Sequence, residues 1–226
     1  MMGSPKYEAE RNDNEGPQHL VTINTGFWLA DTACTQELWQ TVMGNNPAYF
    51  HARNKGGPQH PVEQISWQDV QEFLAALQKH VQEAPVSLPT EAEWEYACRA
   101  DTTTPFSFGE NIHPQLVNYD GDFPYAGAKK GLYRLQTVAV KALAANPWGL
   151  YQMHGNVWEW CADVWRENYA QALDAGDRGL RVLRGGSWSS DAQRARSASR
   201  IRGEPVRRDF YAGFRFVLRS SRPLGP

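Results

Sequence analysis

The chain contains three cysteines in 226 residues and no CxxC pair, which excludes a disulfide framework and a structural zinc site of the usual spacing. No apolar run approaches the roughly 20 residues of a membrane helix. The opening stretch, MMGSPKYEAERNDNEG, lacks the apolar core of a secretory signal, so the cytoplasm is the default expectation. His19, His51, His60, His80, His113 and His154 show no HxH, HExxH or facial-triad spacing, and each is expected in a loop or at the surface. Neither standard phosphate-binding glycine loop occurs. Cys161 lies near Asp163, but no signature places a base beside it, so it is expected as a buried thiol.

Lysine is missing from 178 to 222. That stretch carries twelve arginines against three acids, Asp191, Glu204 and Asp209, a net +9 that leaves −11 for the rest of a chain of net −2. A basic segment can face nucleic acid or another anion. Arginine without lysine instead favours stacking on aromatics and pairing with the acids of the amino-terminal part, because the planar guanidinium suits both. Nucleic acid therefore ranks last among the partners considered.

What is present suits one α+β domain over 1–226, with short strands, few helices and much loop. Apolar residues make up 41% and aromatics 12%, enough for an aromatic-packed core, and 19 glycines and 14 prolines argue against a helical bundle. Alternation in HLVTINTGFWL predicts a strand or hairpin over His19–Leu29. A short helix is predicted over Thr35–Met43, stopped by Gly44, then a long loop from Asn45 to Pro61. Ser66 and Asp69 form a capping-box pattern ahead of the stripe Val70, Phe73, Leu74 and Leu77; Thr90 and Glu93 form another. Residues 101–148 show no sustained period. Strands are predicted over Gly155–Cys161, Leu180–Arg184, Ser197–Ile201 and Gly213–Leu218.

Eight stretches in order resemble the formylglycine-generating-enzyme (sulfatase-modifying factor) family, whose fold is related to C-type lectins. They are MGSP (Met2–Pro5), GPQHLVTI (Gly16–Ile23), NPAYF (Asn46–Phe50), PVEQISWQDV (Pro61–Val70), LPTEAEWEYACR (Leu88–Arg99), GLYQMHGNVWEWC (Gly149–Cys161), RVLRGGSW (Arg181–Trp188) and GFRFV (Gly213–Val217). The resemblance implies a structural calcium near GNVWEW, at positions matching Gln152, Gly155, Val157 and Glu159, with Gln152 standing where Asn or Asp is expected. No other cofactor is required. The family's oxidase holds copper(I) with two cysteines shortly after its GGS(W/Y) motif. Here that stretch reads GGSWSSDAQRARSASR, and no cysteine follows Gly185. Hydroxyls do not replace thiolates for a soft ion, so oxidation by the family mechanism is not expected.

Residues 181–219 further resemble the variable region of proteins diversified by retroelements, whose template carries AAC or AAT codons at chosen positions. The matching positions are Leu183, Ser189, Ser190, Asp191, Arg194, Ser199, Ile201, Gly203, Val206, Arg208, Asp209, Phe210 and Tyr211. Substituting only the adenines of such a codon cannot yield Lys, Glu, Gln, Met or Trp, and none of the thirteen is one of these. Phe210, Tyr211 and Arg208 are anchor types, and the serines and Gly203 are small adaptable contacts. Between them Gly185 and Gly186 are expected to allow tight backbone, Trp188 and Phe214 to fill core, and Arg184, Arg196 and Arg215 to pair internally. The resemblance implies a non-catalytic, monomeric display of a hypervariable surface to a macromolecular ligand, a protein, with no membrane contact. The alternative is a cysteine-less oxidase or maturation enzyme working through another metal.

Overall fold

The structure, a computed structural model, describes residues 1–171 and 179–223, with the side chains of 220–223 left aside. Of the basic segment, Arg178 and the Arg222 side chain lie outside the described residues.

Local sequence sets the three helices. Thr35 accepts from the Leu38 amide at 3.1 Å and caps α1 (Gln36–Met43), which ends on Gly44 at φ 76°, a left-handed conformation that glycine adopts at no steric cost. Ser66 and Asp69 close a reciprocal capping box on α2 (Trp67–Gln78). Its Val70, Phe73 and Leu74 are fully buried, each worth about 1.5–3 kcal/mol of transfer free energy. Thr90 and Glu93 do the same for α3 (Glu91–Arg99). Loop fills 45–61 and most of 101–148, as the punctuation predicts.

Two small sheets complete the α+β architecture. In the first, β7 (Val217–Pro223) lies between β1 (Thr25–Leu29) and the two-residue β2 (Val86–Ser87), antiparallel to both. The second runs β5 (Arg200–Gly203), β4 (Arg181–Arg184), β3 (Trp158–Val164), β6 (Ala212–Gly213), with β6 parallel to β3 and the other pairs antiparallel. Trp158 and Trp160 share one face of β3 and pack with Trp39, Phe73 and Phe214 in the main core. Among the described residues no helix is long and apolar enough to cross a membrane.

Four strand expectations need correction. Only the second half of His19–Leu29 is strand: its pairing with β7 begins at Thr25, opposite Pro223, and His19 makes one bridge to Met2. The strand at GNVWEW starts at Trp158, since Gly155 and Asn156 sit at φ 75° and 66°. The strand expected over Ser197–Ile201 begins at Arg200, after a turn in which the Ser199 amide bonds Arg196 O. The segment 213–218 is not one strand: the chain leaves the second sheet after Gly213 and enters the first at Val217.

Candidate functional site

The segment from β4 to β6 is held by buried charge pairs, and the amino-terminal part supplies most of the acids. Arg196 bonds Glu8 at 2.6 Å and Glu15 at 2.6 and 2.8 Å. Burial pushes both carboxyls up, and the Arg196 hydrogen bonds outweigh it at Glu15 alone, which ends below its ordinary value while Glu8 ends above. Arg200 forks onto Glu91 at 2.7 and 2.9 Å and stacks on Trp165 and Tyr169. Arg184 pairs with Glu95 and lies over Trp94. Arg215 pairs with Glu159. Much of the +9 segment is thus neutralised inside the fold. Gly185, at φ 96°, has no room for a side chain: a Cβ there would stand 3.0 Å from the Trp94 ring and 3.1 Å from Met153 O.

On this scaffold two cavities open side by side. The first, about 460 Å³, is lined by Ser189, Ser190, Asp191 and Arg194, with Asp120, Phe123, Ser187 and Trp158 from the fixed parts. The second, about 450 Å³, is lined by Leu183, Gly203 and Asp209, with Trp160 among its fixed residues. Ile201 and Tyr211 belong to both. Nine of the thirteen diversification candidates therefore line these two adjoining cavities.

The other four lie elsewhere. Ser199 is buried, with its carbonyl accepting from Arg184 Nη1, so its expected place on an exposed face is corrected. Val206 and Arg208 are exposed beyond the cavities, and Arg208 forks onto Asp69 beside the start of α2 at 2.6 and 2.7 Å. Phe210 is partly exposed and packs on Tyr49, Trp188 and Tyr211 at 5.6–5.8 Å between ring centres. Leu183 is only 3% exposed: it is core as well as cavity floor.

Chemically, the first cavity is a polar bowl with aromatic walls. The Ser187 hydroxyl meets those of Ser190 and Ser189 at 3.0 and 3.2 Å. These hydroxyls bond one another, and no histidine nitrogen is bonded to them, so they lack the activated geometry of a nucleophile. Asp120 keeps one oxygen on the Asp122 amide at 3.0 Å; burial, then the Asp122 and Asp191 carboxylates, push its pKa up. Asp120 and Phe123 come from the irregular stretch 101–148, where no periodicity signals a site. Trp158 and Trp160 are legible in GNVWEW as paired indoles but not as cavity floor.

His154 lies in a loop, as expected, but not at the surface. It is buried, with Nδ1 donating to Ala195 O at 2.7 Å and Nε2 accepting from the Ser107 amide at 3.1 Å, and burial pushes its pKa down to about 4. Cys34, Cys98 and Cys161 are buried thiols; burial pushes Cys98 up to about 12, and the other two rise for the same reason.

Three of the four positions implied for calcium are already engaged with other partners. Glu159 receives Arg215 twice and Trp94 Nε1 once, so a guanidinium already faces its carboxylate. Gln152 is turned to Ala139 O and Asn156, and Gly155 O accepts from the Val157 amide. A hard cation needs several oxygens free and convergent; here both side-chain donors have other partners. Among the described residues no group of three or more His, Cys, Asp or Glu is placed to hold a metal.

Comparison with known proteins places this scaffold. A sulfatase-modifying factor enzyme 1-like domain matches residues 1–220. The formylglycine-generating enzyme of Streptomyces coelicolor is 31% identical over 225 residues, covering 92% of this chain and 69% of that enzyme. The inactive C-alpha-formylglycine-generating enzyme 2 of Bos taurus is 33% identical over 173 residues, covering 73% of this chain and 52% of that protein. The family thus holds both enzymes and a member named as inactive. The chain spans about half to two thirds of the length of these curated relatives. Among solved structures, PvdO from Pseudomonas aeruginosa superposes with TM-score 0.80 at 27% identity, covering 97% of this chain and 90% of that one. Treponema denticola variable protein 1 superposes with TM-score 0.70 at 27% identity, covering 86% and 84%. On the match to residues 1–220 and the identity to the Streptomyces enzyme, the chain belongs to the sulfatase-modifying factor (formylglycine-generating-enzyme-like) family.

Proposed function

We propose that this chain is a non-catalytic binding member of its family, a stiff scaffold whose depression between β4, β5 and β6 is diversified by a retroelement and grips a protein ligand. One observation carries the reading: nine positions that match the variable region by resemblance, all of residue types an adenine-substituted AAC or AAT codon can give, line two cavities that share a wall. The likeness to a Treponema protein named as a variable protein supports it. A nucleic-acid partner is disfavoured because Arg184, Arg196, Arg200 and Arg215 are buried in ion pairs and do not form an outward basic stripe. The reading needs no cofactor and takes the chain to act as a monomer.

The decisive experiment is on DNA. A near-copy of the codons for 181–219, with AAC or AAT at the thirteen positions and a reverse transcriptase gene beside it, is the expected finding; a locus with neither defeats diversification. The enzymatic alternative draws on the match to the Streptomyces enzyme over 92% of the chain. It predicts stoichiometric iron or copper in the purified protein. Metal-free protein is the outcome expected here.

A further inference from the structure

We infer that the second cavity is a subsite for an uncharged apolar group, an aromatic ring or branched aliphatic side chain, and that Leu183 and Gly203 set its depth jointly. The inference rests on reading this face as ligand-binding and names what one half of it takes.

Strand register brings the parts together. Trp160 on β3 stands opposite Leu183 on β4, and Leu183 opposite Ile201 on β5. Directly paired residues project to the same side of a sheet, so these three side chains form one row. Gly203, two residues along from Ile201, lies on that side too. A Cβ at 203 would stand 2.6 Å from Trp160 Cη2 and 2.8 Å from Leu183 Cδ1. No residue but glycine fits unless one of those two groups moves. The indole nitrogen of Trp160 is tied to Ile65 O at 3.3 Å, and the ring is otherwise packed in the core. The remaining open volume is the cavity itself. A side chain added at 203 therefore drives Trp160 or Leu183 into the cavity and shallows it, whereas shortening Leu183 makes room beneath. Two of the thirteen candidate positions are thus one mechanical unit.

The rim carries no formal net charge: Arg202 and Arg207 balance Glu204 and Asp209, with Arg207 paired to Asp209 at 2.8 Å and Arg202 paired to Glu167. An anionic ligand would have to displace Glu167 or Asp209 from its arginine, while the floor of Trp160, Leu183 and Ile201 offers apolar contact alone. The first cavity instead presents the Ser187, Ser189 and Ser190 hydroxyls and the Asp120 carboxylate in its lining.

Indole, a neutral planar probe, tests this by amide chemical shifts on the isotope-labelled full chain. Titration is expected to move the Leu183, Ile201 and Gly203 amides, with the anionic indole-3-acetate much weaker. Gly203→Val should weaken indole by about tenfold or more. Leu183→Ala should shift preference toward the larger naphthalene, and Leu183→Ala combined with Gly203→Val should restore indole binding. Shifts confined to Asp120 and Ser189 would overturn the inference, as would unaltered indole binding in folded Gly203→Val. Should that variant not fold, Leu183→Ala decides: an unchanged preference between indole and naphthalene overturns the proposal. Indole shifts without a template repeat beside the gene would sink diversification and leave the subsite standing; a template repeat without indole shifts would do the reverse.

Discussion

Arg215 forks onto Glu159, Nε to Oε2 at 2.7 Å and Nη2 to Oε1 at 2.9 Å, and neither residue is more than 1% exposed. The bond fixes the place where the chain passes from the second sheet to the first, between Gly213 and Val217. Arg215 also reaches Tyr151 O at 2.8 Å, tying the crossing to the turn before GNVWEW.

Removing one partner of such a pair leaves an uncompensated buried charge. Arg215→Met is expected to cost about 3–5 kcal/mol, and Glu159→Gln with Arg215→Met together should cost less than Arg215→Met alone. Urea denaturation of the two variants and the parent reads this directly.

The same bond bears on calcium. With the Glu159 carboxylate held by a guanidinium, neither added calcium nor a chelator is expected to move the melting temperature. A rise with calcium that disappears in Glu159→Gln would show that the carboxylate does reach a metal.

The diversification candidates should differ sharply in tolerance. Arg208 is exposed and its pair with Asp69 is a surface pair, so Arg208→Ala should cost less than about 1 kcal/mol. Ser199 is 1% exposed, so Ser199→Phe overpacks the interior and should cost about 1–3 kcal/mol or more. Thermal melts of the two variants check the contrast. If position 199 accepts large residues as readily as 208, its burial is not what the structure shows.

Much of the scaffold is legible because its causes are local. The capping boxes at Ser66 and Thr90, the stop at Gly44 and the stripe from Val70 to Leu77 are each written within one helix, and each forms. The pairing of arginines with amino-terminal acids follows from guanidinium chemistry, although which acid meets which arginine, as with Arg196 and Glu15, spans 181 residues and has no local sign. Strand limits fail where a partner decides them, as at His19–Leu29. The site is half legible. Resemblance to a diversified variable region marks its variable wall, but Asp120 and Phe123 enter from an aperiodic stretch placed by tertiary contacts, and the burial of Ser199 and His154 depends on neighbours far along the chain.

Two buried groups should give stability opposite slopes with pH. His154 has its pKa pushed down by burial to about 4. Below about 6.5 the unfolded chain takes up a proton that the folded chain refuses, so stability falls as pH drops from 6.5, by about 3 kcal/mol at pH 4. Protonation would set a second N–H against the Ser107 amide. Glu63 behaves conversely: its carboxyl, fully buried while accepting from the Tyr49 and Phe50 amides at 3.0 and 2.8 Å, is pushed up by burial to about 7. The unfolded chain loses that proton near pH 4.5 and the folded chain near 7, so stability falls as pH rises between them, again by about 3 kcal/mol. The windows overlap, so the parent should show a shallow profile between pH 4.5 and 6.5. His154→Gln should expose the Glu63 slope, with stability highest near pH 4.5, and Glu63→Gln should expose the His154 slope, with stability still rising up to pH 6.5. Denaturation midpoints across pH 4–8 measure both, and parallel profiles for the two variants would refute the assignment.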